Sequence, residues 1–131
     1  MRRDDWTGHA RSVLRIIAGF AFALHGLQKL FGMFGGWPSH GATAHIWSQS
    51  WVAGVLELFG GALLTLGLFT RPVAFLLCGE MAVAYFRVHL PRAFWPIQNG
   101  GETAVLYCFI FGYLAATGGG PFSLDRAARR K

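Results

Sequence analysis

The chain has 131 residues, room for one domain, and is 53% hydrophobic with only 14% charged residues, against about 25% charged in an ordinary soluble domain. That balance excludes a soluble globule, because so short a chain has too little interior to bury so much apolar surface. The formal net charge of +6 would suit nucleic acid. However, Arg2, Arg3, Arg11, Arg126, Arg129, Arg130 and Lys131 gather at the two ends beside apolar runs, which fits an anionic membrane surface and no nucleic acid.

Four apolar segments follow in chain order, at 13–34, 51–69, 72–90 and 102–117, each near the ~20 residues that cross a ~30 Å hydrocarbon core. None alternates like a barrel strand. The expected fold is therefore all-α, a polytopic four-helix membrane bundle formed by one domain over 1–131. No small-residue cleavage site follows the first apolar stretch, so it reads as a retained helix and not a signal peptide. Between the first two spans lies GGWPSHGATAHIWSQS, and its Trp37 and Trp47, with Trp51, Phe94 and Trp95, suit an interfacial aromatic belt. Thr70-Arg71-Pro72 is a tight joint that predicts a packed antiparallel hairpin of the second and third helices. Gly118-Gly119-Gly120-Pro121 stops the fourth.

Lys and Arg set the orientation. The N-terminal flank, the 70–72 joint and the C-terminal tail are basic, whereas the first loop carries neither residue type and the third loop carries only Arg92, with Arg87 just before it. The positive-inside rule then places both termini and Arg71 on the cytoplasmic side.

Ionisable groups inside spans are costly and usually face a bundle interior or a cavity. Here Glu57, Glu80 and Glu102 lie in or at the mouth of spans, accompanied by His25, Gln28 and Lys29 on the first helix and by Tyr85, Arg87 and His89 on the third. At 1.5 Å of rise per residue, His25 lies roughly 18 Å and Lys29 roughly 24 Å from the inner edge, with Glu57 about 9 Å below the outer edge. His25, Gln28, Lys29 and Gly32 form one helical stripe, as do Glu57, Gly60, Gly61 and Leu64. Glu80, Ala84 and Arg87 form a third. Only Glu80 sits deeper, roughly 12 Å from the inner side, and together the stripes predict one shared polar site in the outer half of the membrane. Two uses of it stand open: structural ion pairs, Lys29 with Glu57 and Arg87 with Glu102, or a site for a quinone, another small molecule or a proton.

Other cofactors fit less well. His25 and His89 differ by about 7 Å in depth, which is awkward for axial ligation of one b-type haem. No His or Cys spacing matches a metal site. The same arithmetic places Cys78 and Cys108 roughly 10 Å apart in depth, too far for a disulfide, whose Cα atoms must lie within about 7 Å.

The motifs LRIIAGFAFALHGLQKLFG, WVAGVLELFGGALLTLGLFTRPVAFLL and GGETAVLYCFIFGYLAATGGGPFSLD, in that order, resemble the DoxX family of small bacterial membrane proteins. The resemblance runs from Leu14 to Asp125 and implies a four-helix bundle in the bacterial inner membrane. It also implies a link to sulfur, thiol or quinone redox systems, with His25, Lys29, Glu57 and Glu102 at the family's recurring polar positions. On this reading the chain is a membrane subunit of an oxidoreductase system. Glu57 and His25 would handle protons, while Lys29, Gln28, Arg87, His89, Glu102, Glu80 and Tyr85 would line the ligand site. The alternative is a non-catalytic scaffold that assembles with itself or with other membrane or redox proteins through its glycine-rich faces.

Overall fold

The computed structural model describes residues 2–131, and among them every regular element is helical. α1 (Arg3–Phe31) begins well before the apolar run at Val13. Asp4 and Asp5 stand in its first turn, where carboxylates favour the free N–H groups of a helix start, so the polar residues 3–12 join the helix. The helix closes at Gly32, whose φ of 70° is the left-handed geometry glycine adopts without strain. Ser48 caps α2 (Gln49–Leu66) by accepting the Trp51 amide at 3.1 Å. α3 (Thr70–Ala84) runs on into a π-turn, Tyr85–His89. The short α4 (Pro96–Asn99), then α5 (Glu102–Thr117) and α6 (Leu124–Arg129) complete the chain.

α1 and α2 are each long and apolar enough to cross a membrane, and α5 is a shorter apolar helix. Large apolar side chains stand outside the bundle on α2, α3 and α5, with Phe59 62%, Phe75 75% and Phe109 75% exposed. A surface so apolar belongs to a membrane protein, because lipid solvates it and water does not.

The helices pack as two antiparallel pairs, α1 with α2 and α3 with α5. Glycines make the first pair close. A Cβ on Gly61 would lie 2.6 Å from the Ala23 amide nitrogen and 2.6 Å from the Gly19 carbonyl oxygen. One on Gly19 would lie 2.8 Å from the Thr65 nitrogen. Gly26 meets Gly54 and Leu58 in the same way two turns along, so the backbones themselves are in contact. Phe22, Leu64, Leu77, Phe111 and Leu114 are fully buried and join one pair to the other, with the Phe22 and Phe111 rings 4.9 Å apart and steeply inclined.

Two expectations need correction. The joint is tight but lies at 67–69, with Thr70, Arg71 and Pro72 already in α3. α2 and α3 do pack there, Leu77 against Gly60, but α2 gives most of its packing surface to α1 and α3 gives most of its own to α5. A gap therefore opens between α2 and α3 away from their joint. The cysteines also meet, with Sγ atoms 3.7 Å apart as free thiols and the Cys108 thiol donating to the Cys78 carbonyl. Depth measured from opposite edges of an assumed ~30 Å slab misjudged them, because α5 has 16 residues and spans only about 24 Å. Counted from the shared end at Thr70 and Thr117, the two residues lie about 12 Å and 13.5 Å along their helices, and so at nearly one level.

Candidate functional site

The gap between α2 and α3 is a cavity of about 610 Å³. Lys29 reaches it from α1, Glu57 from α2 and Glu80 from α3. Its remaining walls are mostly apolar, including Val52, Leu56, Phe75, Leu76, Met81 and Val83, with Trp47 and Gln49 toward the loop. Gly79 leaves room on the α3 side, since a Cβ there would meet nothing within 4 Å.

Local structure explains how each polar group arrives. Glu57 sits one turn before Gly61, on the face that closes against α1, and it is 2% exposed. Lys29 lies in the last turn of α1, where a cation favours the free carbonyls, and its Nζ donates to Glu57 Oε1 at 2.7 Å. The ammonium also stands 5.5 Å from the centroid of the Trp37 ring. The Lys29 carbonyl accepts the Ala44 amide at 2.7 Å, so the loop is stitched to the helix at the same residue. Among the described residues this is the only ion pair, and Arg87 and Glu102, both exposed, do not form one.

The second oxygen of Glu57 and both oxygens of Glu80 are buried with no hydrogen-bond partner. A buried carboxylate in that state carries a large desolvation cost unless it is protonated or meets a ligand. Three unsatisfied carboxylate oxygens beside one lysine are the chemical centre of the cavity.

The other predicted residues lie elsewhere. His25 is exposed on the α1–α5 side, edge-on to Tyr107 with ring centroids 6.1 Å apart, and does not line the cavity. Gln28 donates to the Phe34 carbonyl at 3.2 Å and ties down the chain after α1. Tyr85 and His89 converge on Asn99: Tyr85 Oη accepts from Asn99 Nδ2 at 3.3 Å, and His89 Nδ1 lies 3.2 Å from the Asn99 carbonyl oxygen. Asn99 further donates to the Ala93 carbonyl and accepts the Gly101 amide at 2.7 Å, which locks the loop before α5. Its one sequence signal is the Asn-Gly-Gly turn chemistry at 99–101.

A second polar cluster sits at the other end, where most of the arginines lie. Arg15 is wholly buried, with Nη2 donating to the Phe122 carbonyl at 2.7 Å and no carboxylate partner. Its sequence signal is an arginine inside an apolar run, one turn beyond Arg11. Asp125 accepts the Phe69 and Thr70 amides at 2.8 and 2.9 Å, and so caps α3 from the far end of the chain. Burial pushes the Asp125 carboxyl up. The Thr70 and Phe69 hydrogen bonds and nearby Arg129 outweigh that and hold it below the usual carboxylate range.

A family model described as DoxX matches residues 10–90, from early α1 to just past the π-turn. The chain belongs to the DoxX family. Lys29, Glu57 and Glu80 all fall inside the matched segment. Among DoxX relatives, an uncharacterized protein of Haemophilus influenzae is 43% identical over 125 residues, covering 90% of each chain. CatD of Bacillus subtilis, which carries a provisional oxidoreductase name, is 33% identical over 113 residues, covering 86% of this chain and 82% of CatD. No solved structure matches. DoxX proteins are often membrane-associated and linked to oxidoreductases.

Proposed function

We propose that the chain is a four-span subunit of a redox system in the bacterial inner membrane, with both termini cytoplasmic, and that the α2–α3 cavity binds a quinone-like molecule. The observation that carries the reading is the Lys29–Glu57 pair beside the unpartnered Glu80 carboxylate in an otherwise apolar cavity. α3 and its π-turn together make a helical run about 30 Å long, enough for a span, and α5 supplies a shorter fourth. Basic residues at 11, 71, 126, 129 and 130 share one end, which the positive-inside rule puts in the cytoplasm. The oxidoreductase name of CatD supports the chemical class.

The fit is one of solvent and charge. Apolar walls suit a lipid-soluble ring, and the orphaned carboxylate oxygens suit a group that gives and takes protons. A bound quinone supplies the electron-accepting chemistry, with electrons delivered by a redox partner protein. This chain's residues bind the ring and move protons. Lys29 holds a carbonyl oxygen with its ammonium, Glu57 fixes that ammonium, and Glu80 holds a proton where water has poor access. His25 stands outside the cavity and takes no part in this step.

Purification in mild detergent followed by solvent extraction tests the reading. About one quinone per chain is expected, falling at least fivefold in Glu80→Gln and Glu57→Gln proteins that remain folded. Absence of any lipid-soluble redox molecule from wild type, with a water-soluble quinone failing to bind, sinks it. If Glu57→Gln instead only dissociates a larger complex, the scaffold reading replaces it.

A further inference from the structure

At the arginine-rich end a separate cavity of about 280 Å³, roughly nine water volumes, lies between the helix ends. Arg11, Arg71, Arg126 and Arg129 line it, with Gly118–Gly120 as its floor and Asp125 in its wall. None of these guanidinium groups forms an ion pair among the described residues. Arg11 donates to the Thr117 carbonyl at 2.9 Å, and its buried Nε has no partner. The one carboxylate in the wall is already engaged, because both Asp125 oxygens accept the amides that open α3. Arg15 stands behind Ser123 with two further buried nitrogens unpartnered and adds another positive charge. Four arginines around a small concave space with Asp125 as the one carboxylate leave an excess of positive charge there, which defines an anion site.

We propose that this cavity binds a phosphate ester, the headgroup of an anionic phospholipid. Arginine forks match phosphate oxygens in pairs, which a single surface lysine does not do. The surroundings favour a lipid over a free ion, because Phe69, Phe122 and Leu124 are exposed at the same end and offer an apolar path for acyl chains. Basic pockets at helix ends on the cytoplasmic side are suited to such headgroups. The site is independent of the α2–α3 cavity and of its redox reading. It ties α1, α3 and α6 together through one bound molecule.

The test is native mass spectrometry of the delipidated full chain in detergent, titrated with phosphatidylglycerol or phosphatidylcholine. One phosphatidylglycerol should be retained at a concentration at least tenfold below that needed for phosphatidylcholine. Arg71→Gln/Arg129→Gln should lose that preference, and the milder Arg126→Gln should weaken it at least threefold even if the double variant folds poorly. Arg3→Gln/Lys131→Gln removes the same charge outside the cavity and should leave retention unchanged. Inorganic phosphate should compete only at millimolar concentration; if it protects the protein as well as the lipid does, the ester is a free phosphate compound and not a headgroup. Equal retention of both lipids, or equal loss in the Arg3/Lys131 control, overturns the proposal in favour of diffuse surface charge.

Discussion

The two faces of α2 contrast sharply. Toward α1 it presents Gly54 and Gly61, the backbones touch, and Glu57 at that seam finds Lys29 at 2.7 Å. Toward α3 it meets a neighbour held only in the half nearest the joint, where Asp125 bonds the Phe69 and Thr70 amides, its own N–H donates to the Gly67 carbonyl, and Leu77 packs against Gly60. Beyond Gly60 and Leu77 the helices part and leave Glu80 beside a cavity. A seam built from backbone tolerates nothing extra, whereas a gap tolerates a ligand. The lesson is that α2 divides structural and chemical duty between its faces.

The sealed face is the place to break this contrast. Gly61→Leu forces α1 and α2 apart, because even its Cβ falls 2.6 Å from α1 backbone atoms. The expected loss is about 4 kcal/mol or more, seen as failure to recover folded protein, or as unfolding at much lower SDS fraction. Next comes Lys29→Met, which strands Glu57 in the seam and should cost about 3–5 kcal/mol. Lys29→Met/Glu57→Leu should recover most of that loss, since no charge is left unpaired, and a double-mutant cycle on SDS unfolding measures the coupling.

The clamp gives a smaller effect. Asp125→Ala removes the cap of α3 and should cost about 1–2 kcal/mol. Because the folded Asp125 carboxyl titrates below its value in the unfolded chain, near 3.9, its contribution is present above that pH and drains away as pH falls through the folded value. Thermal melts of wild type should therefore lose stability below about pH 4, and the Asp125→Ala difference should shrink there. Smallest of all is Gly79→Ala on the open face. Its Cβ meets nothing within 4 Å, so stability should change by no more than about 1 kcal/mol, and in the favourable direction. A large loss at Gly79 would mean that the α2–α3 gap closes in the membrane.

Much of this was written in the chain. The apolar runs, the helix stop at Gly118 and the basic ends follow from solvent preference and backbone conformational freedom, which act locally and need no partner, whereas the expected spans ran past the actual stops at Gly32 and Gly67. Lys29 and Glu57 could be paired from level and helical face alone, because the two helices are consecutive and their glycine faces mark the register. Choice of neighbour was not legible. Whether α2 closes on α3 or on α1, whether Cys78 meets Cys108, and whether His25 joins Glu57 all depend on which faces win contact once every helix competes for the same partners. Depth is a one-dimensional quantity and carries no azimuth, so residues at one level were grouped that the packed bundle sends to different sides. Asn99, Arg15 and Asp125 show the same limit. Each acts on a segment distant in sequence or reached through a loop, where only the closed tertiary fold sets donor beside acceptor.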